Sequence, residues 1–600
     1  VRAARRERDV FGLVKPALDV HTLGMMAVAQ LLQECGLRVV VAGDQVNEAV
    51  GRPEGDLEVL EQWVREQGIT RLGFSYRLDP QQGAALFGRL VHKLERRRLL
   101  AEGGGPVLGL CFAGLPEACA LVEAEHGERV ETFRGDESAG ETLHKLGVEW
   151  ALRPAEMSAG IAYDEARLAF AGELLRAGQH LAVRPVDRSD CPGYGTRQDG
   201  VVARLRHGRE RRLPPLMRAH MGPYLPDREE AVRLFLAWTR QLAAGGLVDV
   251  LSIGSSQLTQ SHFGEPWGDR PNGGGVPLNS AQELQAAWEA ARPMLVRIYA
   301  GTRHLPQLAR LYERTINIAW HTLSLWWFCQ LDGRGPYSVR ENLAQHLATL
   351  RVAAACGKPC EPNVSHHFAF RGADDVTYVV SAVLAARVIK AAGVRHLVLQ
   401  NMLNTPKGTW GVQDLAKSRA MLALVRELED ERFEVMLQPR AGLDYLSPDL
   451  EKAKVQLAAV SALMDDIEPQ DETSPPLVHV VSYSEGQRLA DPPTINESVQ
   501  ITRAAIACYR RLRRRGEVDD MSRHPETERR TGELLAQARQ VLAAIAASIP
   551  QPYTAEGLCQ VLAGGFLPVP YLWACREEFS QAVRWRTQLV QGSVKLVGPA

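Results

Sequence analysis

The chain has 600 residues, 45% of them apolar and 24% charged, an ordinary balance for a globular enzyme of several domains at about 150 residues each. A net charge of -1 and a pI near 7.0 supply no global field for nucleic acid or an anionic membrane surface. No apolar run reaches the roughly 18 residues of a membrane span, no signal-peptide core follows the basic start, and the ten cysteines lack framework spacing. The reading expects reduced thiols, a cytoplasmic location, no membrane and no nucleic-acid partner.

The first pattern is an apolar run, Val10 to Val14, then the polar stretch Lys15-Pro-Ala-Leu-Asp19-Val-His21-Thr-Leu-Gly24. A helical pattern from Met25 to Gly36 and a second apolar run, Arg38 to Ala42, follow. Strand, turn, helix, strand is a βαβ unit of a parallel sheet, and ligands of such sheets sit at the carboxyl ends of the strands. Here that end offers an imidazole two residues after a carboxylate, the arrangement in which a carboxylate fixes the tautomer of a metal-ligating histidine.

Further strands are predicted at Arg71 to Leu78, Pro106 to Phe112 and Val130 to Gly135. Asp19-x-His21-x-x-Gly24 resembles the motif of adenosylcobalamin-dependent mutases and corrinoid methyltransferases. The resemblance implies that His21 is the lower ligand of the cobalt of cobalamin, that Asp19 stands behind it, and that Lys15 pairs with Asp19. It further implies that Ser75 and Leu78 meet the displaced base of the cofactor, with one residue more between them than the family has. Ala113-Gly114 stands where the family has Gly-Gly beside the nucleotide tail, and Gly135 matches the glycine after the last strand. Residues 1–150 are thus expected to form a Rossmann-like cobalamin-binding domain.

Residues 151–215 read as a connector, its basic run Arg204 to Arg212 as a solvated loop or a phosphate contact. From residue 216 short apolar strands (Asp249 to Gly254, Met294 to Tyr299, His396 to Asn401, Phe433 to Gln438, Val478 to Tyr483) alternate with helical patterns such as Val376 to Ala392, Val412 to Glu429 and Pro448 to Asp465. This alternation predicts a (β/α)8 TIM barrel over 216–515, with a helical extension over 516–600. The active-site residues of a barrel lie just past its strand ends. Here those are Gly254 to Gln257, Ala300 to Thr302, Asn401 to Pro406, Pro439 to Gly442 and Ser484 to Gly486.

This part resembles the large (epsilon) subunit of glutamate mutase, also called methylaspartate mutase. The collinear segments are Arg218-Ala-His-Met-Gly with Leu225-Pro-Asp-Arg-Glu-Glu, Val412-Gln-Asp-Leu-Ala with Arg419-Ala, Pro439-Arg-Ala-Gly-Leu with Pro448-Asp-Leu-Glu-Lys-Ala, and Gly564-Gly-Phe-Leu-Pro-Val-Pro570. In that family the cobalamin domain is a separate small subunit; here it is fused in front. The family's substrate arginines fall on Thr259 and near Tyr299, and its glutamate and tyrosines fall in the apolar Leu323 to Cys329. Its adenosyl-ribose glutamate fits Glu485. Arg440, between Pro439 and Gly442, is the cation expected to anchor a substrate carboxylate, with Arg297 and Arg334 as fallbacks.

The resemblance implies an adenosylcobalamin-dependent radical carbon-skeleton mutase, an isomerase acting on a small acid or amino acid, and a homodimer. A corrinoid-dependent methyltransferase and a cobalamin-binding regulator or inactive mutase relative are the alternatives. Cys356 to Cys360 and the neighbouring His366-His367 lack the spacing of a zinc site, the histidines being read as strand neighbours on opposite faces.

Overall fold

A computed structural model describes residues 9–16, 23–51, 58–76, 79–270, 274–442, 444–572 and 574–599. The chain divides into two compact units: Val1–Glu165 with Gln588–Gly592, and Ala166–Thr587 with Ser593–Ala600.

The first unit is built on five parallel strands: β1 (Val10–Val14), β2 (Arg38–Val41), β3 (Arg71–Tyr76), β4 (Gly109–Gly114) and β5 (Val130–Phe133), in the order β2-β1-β3-β4-β5. Strand order reverses between β1 and β3, so the loops after these two strands leave the sheet at its switch point, where open α/β sheets bind ligands. β1 and β3 read as near-continuous buried runs because helices cover both faces of a parallel sheet. The helix Pro80–Arg96 shows why its segment is helical. Asp79 caps it by accepting from Gln82 N at 2.7 Å, Pro80 occupies the first turn, and Phe87, Leu90, Val91 and Leu94 share its buried side. Phe87 packs against Phe74 and Phe112 of the sheet, with ring centroids 5.7 and 5.1 Å apart.

The second unit holds eight parallel strands: β6 (Leu216–Met221), β7 (Val250–Ile253), β8 (Leu295–Ile298), β9 (His321–Leu323), β10 (Cys360–Pro362), β11 (His396–Leu403), β12 (Glu434–Ala441) and β13 (Leu477–Val480). Their order, β8-β7-β6-β13-β12-β11-β10-β9, is that of a barrel opened at one seam, and Ala319 N donating to Val296 O at 2.8 Å bridges that seam. A helix follows each strand, among them Arg228–Gly245, Ala281–Ala291, Val339–Ala355, Asp375–Ala391, Gly411–Arg426, Leu450–Asp465 and Pro492–Arg515. This nearly closed parallel barrel is the expected α/β architecture. The segment Arg218 to Met221, not among the strands expected from sequence, lies in β6, the first strand of the barrel.

The floor of the barrel is apolar. Leu216, Val250, Leu295, Trp320, Val398, Met436 and Leu477 form one buried layer, against which Val201 and Leu205 pack. Those two belong to the helix Val201–Glu210, so the basic run read as a solvated loop is a helix that plugs the barrel's amino end. Arg204 within it is 1% exposed, donates to both carboxylate oxygens of Asp199 and lies over the Tyr194 ring. Arg188 and Asp249 pair beside it at 2.8 Å. The 151–215 stretch also contributes a 22-residue helix, Ala155–Arg176. At the other end, 516–600 is not wholly helical: after the helices Pro525–Ser548 and Ala555–Ala563 it ends in a hairpin of β14 (Trp585–Val590) and β15 (Ser593–Pro599). Among the described residues no helix is long and apolar enough to cross a membrane.

Candidate functional site in the barrel lumen

Above the apolar floor, each strand sends one polar side chain inward: Arg218, Ser252, Arg297, Thr322, Glu361, Gln400, Gln438 and His479, all buried. Barrel interiors are ordinarily filled with branched apolar residues. A whole polar layer is costly to bury, and that cost is offset only where the groups meet one another. Arg218 is the hub. Its Nε donates to Ser252 Oγ at 2.7 Å and its Nη1 to Glu361 Oε2 at 3.0 Å and Gln438 Oε1 at 2.9 Å. Arg297 donates through Nε to Thr322 Oγ1 at 2.9 Å, with its Nη2 3.6 Å from Glu361 Oε2. Trp320 Nε1 also donates to Glu361 Oε2.

Arg440 sits one layer higher. Sequence reasoning put it in the loop after its strand; it is instead the penultimate residue of β12, and its register partners are Met402 and His479. It is 9% exposed, and among the described residues only its Nε has a hydrogen bond, to Ala441 O at 3.1 Å. Gly442 then turns the chain: a Cβ there would stand 2.6 Å from Thr405 Oγ1 and 2.7 Å from Asn404 O, so the β11 and β12 loops approach as closely as glycine allows. Glu485, after β13, is the acid that acts most strongly on Arg440. It has exposed surface yet is walled by protein: burial raises its carboxyl and Arg440 opposes that rise.

The electrostatics follow from this crowding. Burial alone raises the Glu361 carboxyl, but Arg218, Arg297 and the Trp320 N–H outweigh it and hold it at about 2, so Glu361 is an anion. Burial, then Arg297, push the Arg218 guanidinium down, without discharging it at neutral pH. Four imidazoles face the same space. His220 and His479 lie with ring centroids 5.3 Å apart, and His366 and His367 4.3 Å apart. Burial first, then the arginines, push His220 and His479 well down, and His366 to about 3; burial and His366 do the same to His367. All four are neutral at pH 7. His366 and His367 lie on the short helix Ser365–Ala369, not on a strand, so both turn to the same side.

The end of β9 and the loop after it, which together hold Leu323 to Cys329, roof this region. Leu325 and Phe328 adopt left-handed φ of 50° and 65°, rare for bulky residues and found where surrounding contacts enforce it. Asn342 Nδ2 supplies that enforcement by donating to the Leu325 and Trp327 carbonyls, as do the Asp332 oxygens by accepting from Phe328 N and Cys329 N. Arg334, a fallback anchor in sequence, lies 47% exposed beside Asp332 and over the Phe328 ring, outside the polar layer. Arg297, the other fallback, is in its centre.

No protein-family model matches the chain, and no curated protein matches it. The site therefore has to be read from its own chemistry.

In the first unit several of the expected cofactor residues are described. Lys15 follows β1, where its backbone N donates to Asn47 Oδ1 at 3.2 Å, and Gly24 is in the first turn of the helix Leu23–Glu34. Ser75 of β3 is the register partner of Ala113 in β4, and Tyr76 of Gly114. Gly135 turns left-handed after β5 with φ 79°. Asp19, His21 and Leu78 lie outside the described residues. Ser75, Ala113, Gly114 and Gly135 put small side chains or none at or just past the carboxyl ends of β3, β4 and β5, the residue type that a cofactor lying against strand ends requires. Among the described residues no group of three or more His, Cys, Asp or Glu could hold a metal ion, and all ten cysteines are free thiols.

Sequence reasoning missed Arg218, Glu361, Gln438, His220 and His479 as site residues. A signal existed: Arg218-x-His220 and Gln438-x-Arg440 are polar residues at alternate positions of otherwise apolar runs, the period of one strand face.

Proposed function

We propose that the protein is an adenosylcobalamin-dependent mutase that rearranges a small carboxylic acid inside the barrel. The observation that carries this reading is the arginine-rich polar interior of the barrel, where Arg218, Arg297 and Arg440 face the ionised carboxylate of Glu361. Such an excess of guanidinium suits an anionic substrate, and a planar fork grips a carboxylate with two parallel hydrogen bonds. Arg440, with its terminal nitrogens uncommitted among the described residues, supplies the grip; the roof of Trp327, Phe328 and Phe368 excludes water from the reacting carbon. The neutral imidazoles orient the substrate by hydrogen bonds and take no proton at pH 7. Adenosylcobalamin, when bound, supplies the radical chemistry, which needs no acid–base triad from the protein.

The cofactor half of the reading rests on the sequence Asp19-x-His21-x-x-Gly24, which comes after β1 in the chain, with Ser75 and Ala113-Gly114 at the ends of β3 and β4. His21 would ligate the metal and Asp19 would orient it. The test is direct. Protein loaded with cobalamin and reduced to the paramagnetic metal should show hyperfine splitting from a histidine nitrogen, and His21→Ala should remove it. Splitting that persists in His21→Ala, or no cobalamin uptake by the wild type, rejects the assignment.

A further inference from the structure

Four buried polar atoms of the lumen have no hydrogen-bond partner among the described residues: Arg297 Nη2, Glu361 Oε1, Gln438 Nε2 and His479 Nδ1. They are neighbours. Arg218 holds the other oxygen of Glu361 and the oxygen of Gln438, Arg297 Nη2 lies 3.6 Å from Glu361 Oε2, and His479 pairs in register with Arg218 and Arg440. In Arg297, Glu361 and Gln438 one end of the group is fixed by a hydrogen bond and the other is presented. Buried polar atoms are nearly always paired, so four unpaired atoms around one guanidinium mark a place for a ligand.

The donor and acceptor types define it. Arg297 Nη2 and Gln438 Nε2 can only donate, and ionised Glu361 can only accept. The complement is a carboxylate with a hydrogen-bond donor beside it, either a hydroxyl or an ammonium. The charge of the lumen selects between them. Arg218, Arg297 and Arg440 face Glu361 and, at the rim, Glu485, which leaves one positive charge in excess while the imidazoles stay neutral. An ammonium would enter as a fourth cation among three guanidiniums, and a zwitterion brings no net charge to offset the excess. A hydroxy acid brings one negative charge and gives Glu361 a neutral O–H.

We propose that this slot takes a small 2-hydroxy acid in preference to the matching 2-amino acid, with Glu361 Oε1 accepting from the hydroxyl and Arg297 Nη2 and Gln438 Nε2 donating to the carboxylate. The inference rests on the barrel being the substrate site of the proposed function, and does not depend on the cofactor.

The experiment is isothermal titration of the full chain, without cobalamin, by two matched trios: 2-hydroxyglutarate, glutamate and glutarate, and lactate, alanine and propionate. In at least one trio the hydroxy acid should bind about tenfold tighter than both companions, the worth of one hydrogen bond to a charged group. Glu361→Gln should erase the advantage over the deoxy acid; if that variant does not fold, the wild-type trios decide alone. An amino acid that binds as tightly as its hydroxy acid overturns the proposal. So does equal or undetectable binding within both trios, which would leave the four atoms to ordered water only. A hydroxy acid that binds tightly but gives no radical signal with adenosylcobalamin keeps the slot and rejects the mutase.

Discussion

Arg440 and Glu361 carry opposite burdens. Arg440 is buried with most of its donors uncommitted among the described residues, so its value lies in what it binds. Arg440→Lys keeps the charge and loses the fork, and turnover should fall about 10–100-fold, the worth of one or two charge-assisted hydrogen bonds, while cobalamin binding is unchanged. Steady-state kinetics beside a cofactor titration checks this. Glu361 is already committed to Arg218, Trp320 and Arg297, and its loss strands two buried guanidiniums. Glu361→Gln should destabilise the barrel by about 3–5 kcal/mol at neutral pH. The sign of the pH dependence follows from the folded carboxyl lying at about 2, below its unfolded value of about 4.3. The stability contribution is fully present above the unfolded value and is lost as pH falls through the folded one. Denaturant unfolding of wild type and variant should therefore converge between about pH 5 and pH 2; a gap that widens on acidification contradicts this assignment.

At the scale of elements, most strands and the long barrel helices were legible as apolar runs and helical patterns, while β6, β9 and β10 were not. β11 and β12 run eight residues each and announce themselves as apolar runs, and Gly411–Arg426 and Leu450–Asp465 coincide with the predicted helical patterns. β9 and β10 have three residues each, too few to show a period, and β10 reads Cys-Glu-Pro. A strand of that length is defined by its neighbours' hydrogen bonds, not by its own sequence, and β10 is the one that carries Glu361. The helix Val201–Glu210 was hidden for the opposite reason: its arginines look solvated until Asp199 and the barrel floor are brought beside them. A second buried network anchors the β11 loop. Lys417 pairs with Asp414 at 3.0 Å and Asp375 at 3.6 Å and donates to Thr405 O, while Asp414 accepts from Asn404 N. Lys417→Met leaves Asp414 buried without its cation and Asp375 with Arg530 alone, and should cost about 3–5 kcal/mol in denaturant unfolding. A change within 0.5 kcal/mol, the range of ordinary surface substitutions, would show that the network does not hold the loop.

At the scale of the whole molecule, the proposed function assigns the two units two kinds of chemistry: the cofactor to the strand ends of the parallel sheet, where Ser75, Ala113 and Gly114 are small, and the acid to the charged interior of the barrel. The strand pattern of each unit was readable because parallel strands are buried on both faces; the lumen was not, because its residues come from eight separate stretches of chain that only barrel closure brings together. The central claim is that a small acid in the barrel triggers radical chemistry at a cobalamin held by the first unit. The decisive measurement is electron paramagnetic resonance on protein incubated anaerobically with adenosylcobalamin, with and without each acid of the two trios. The account predicts a signal that appears only with an acid that binds the barrel and is lost in both Arg440→Lys and His21→Ala. A signal independent of added acid, or none with any acid that binds, contradicts it.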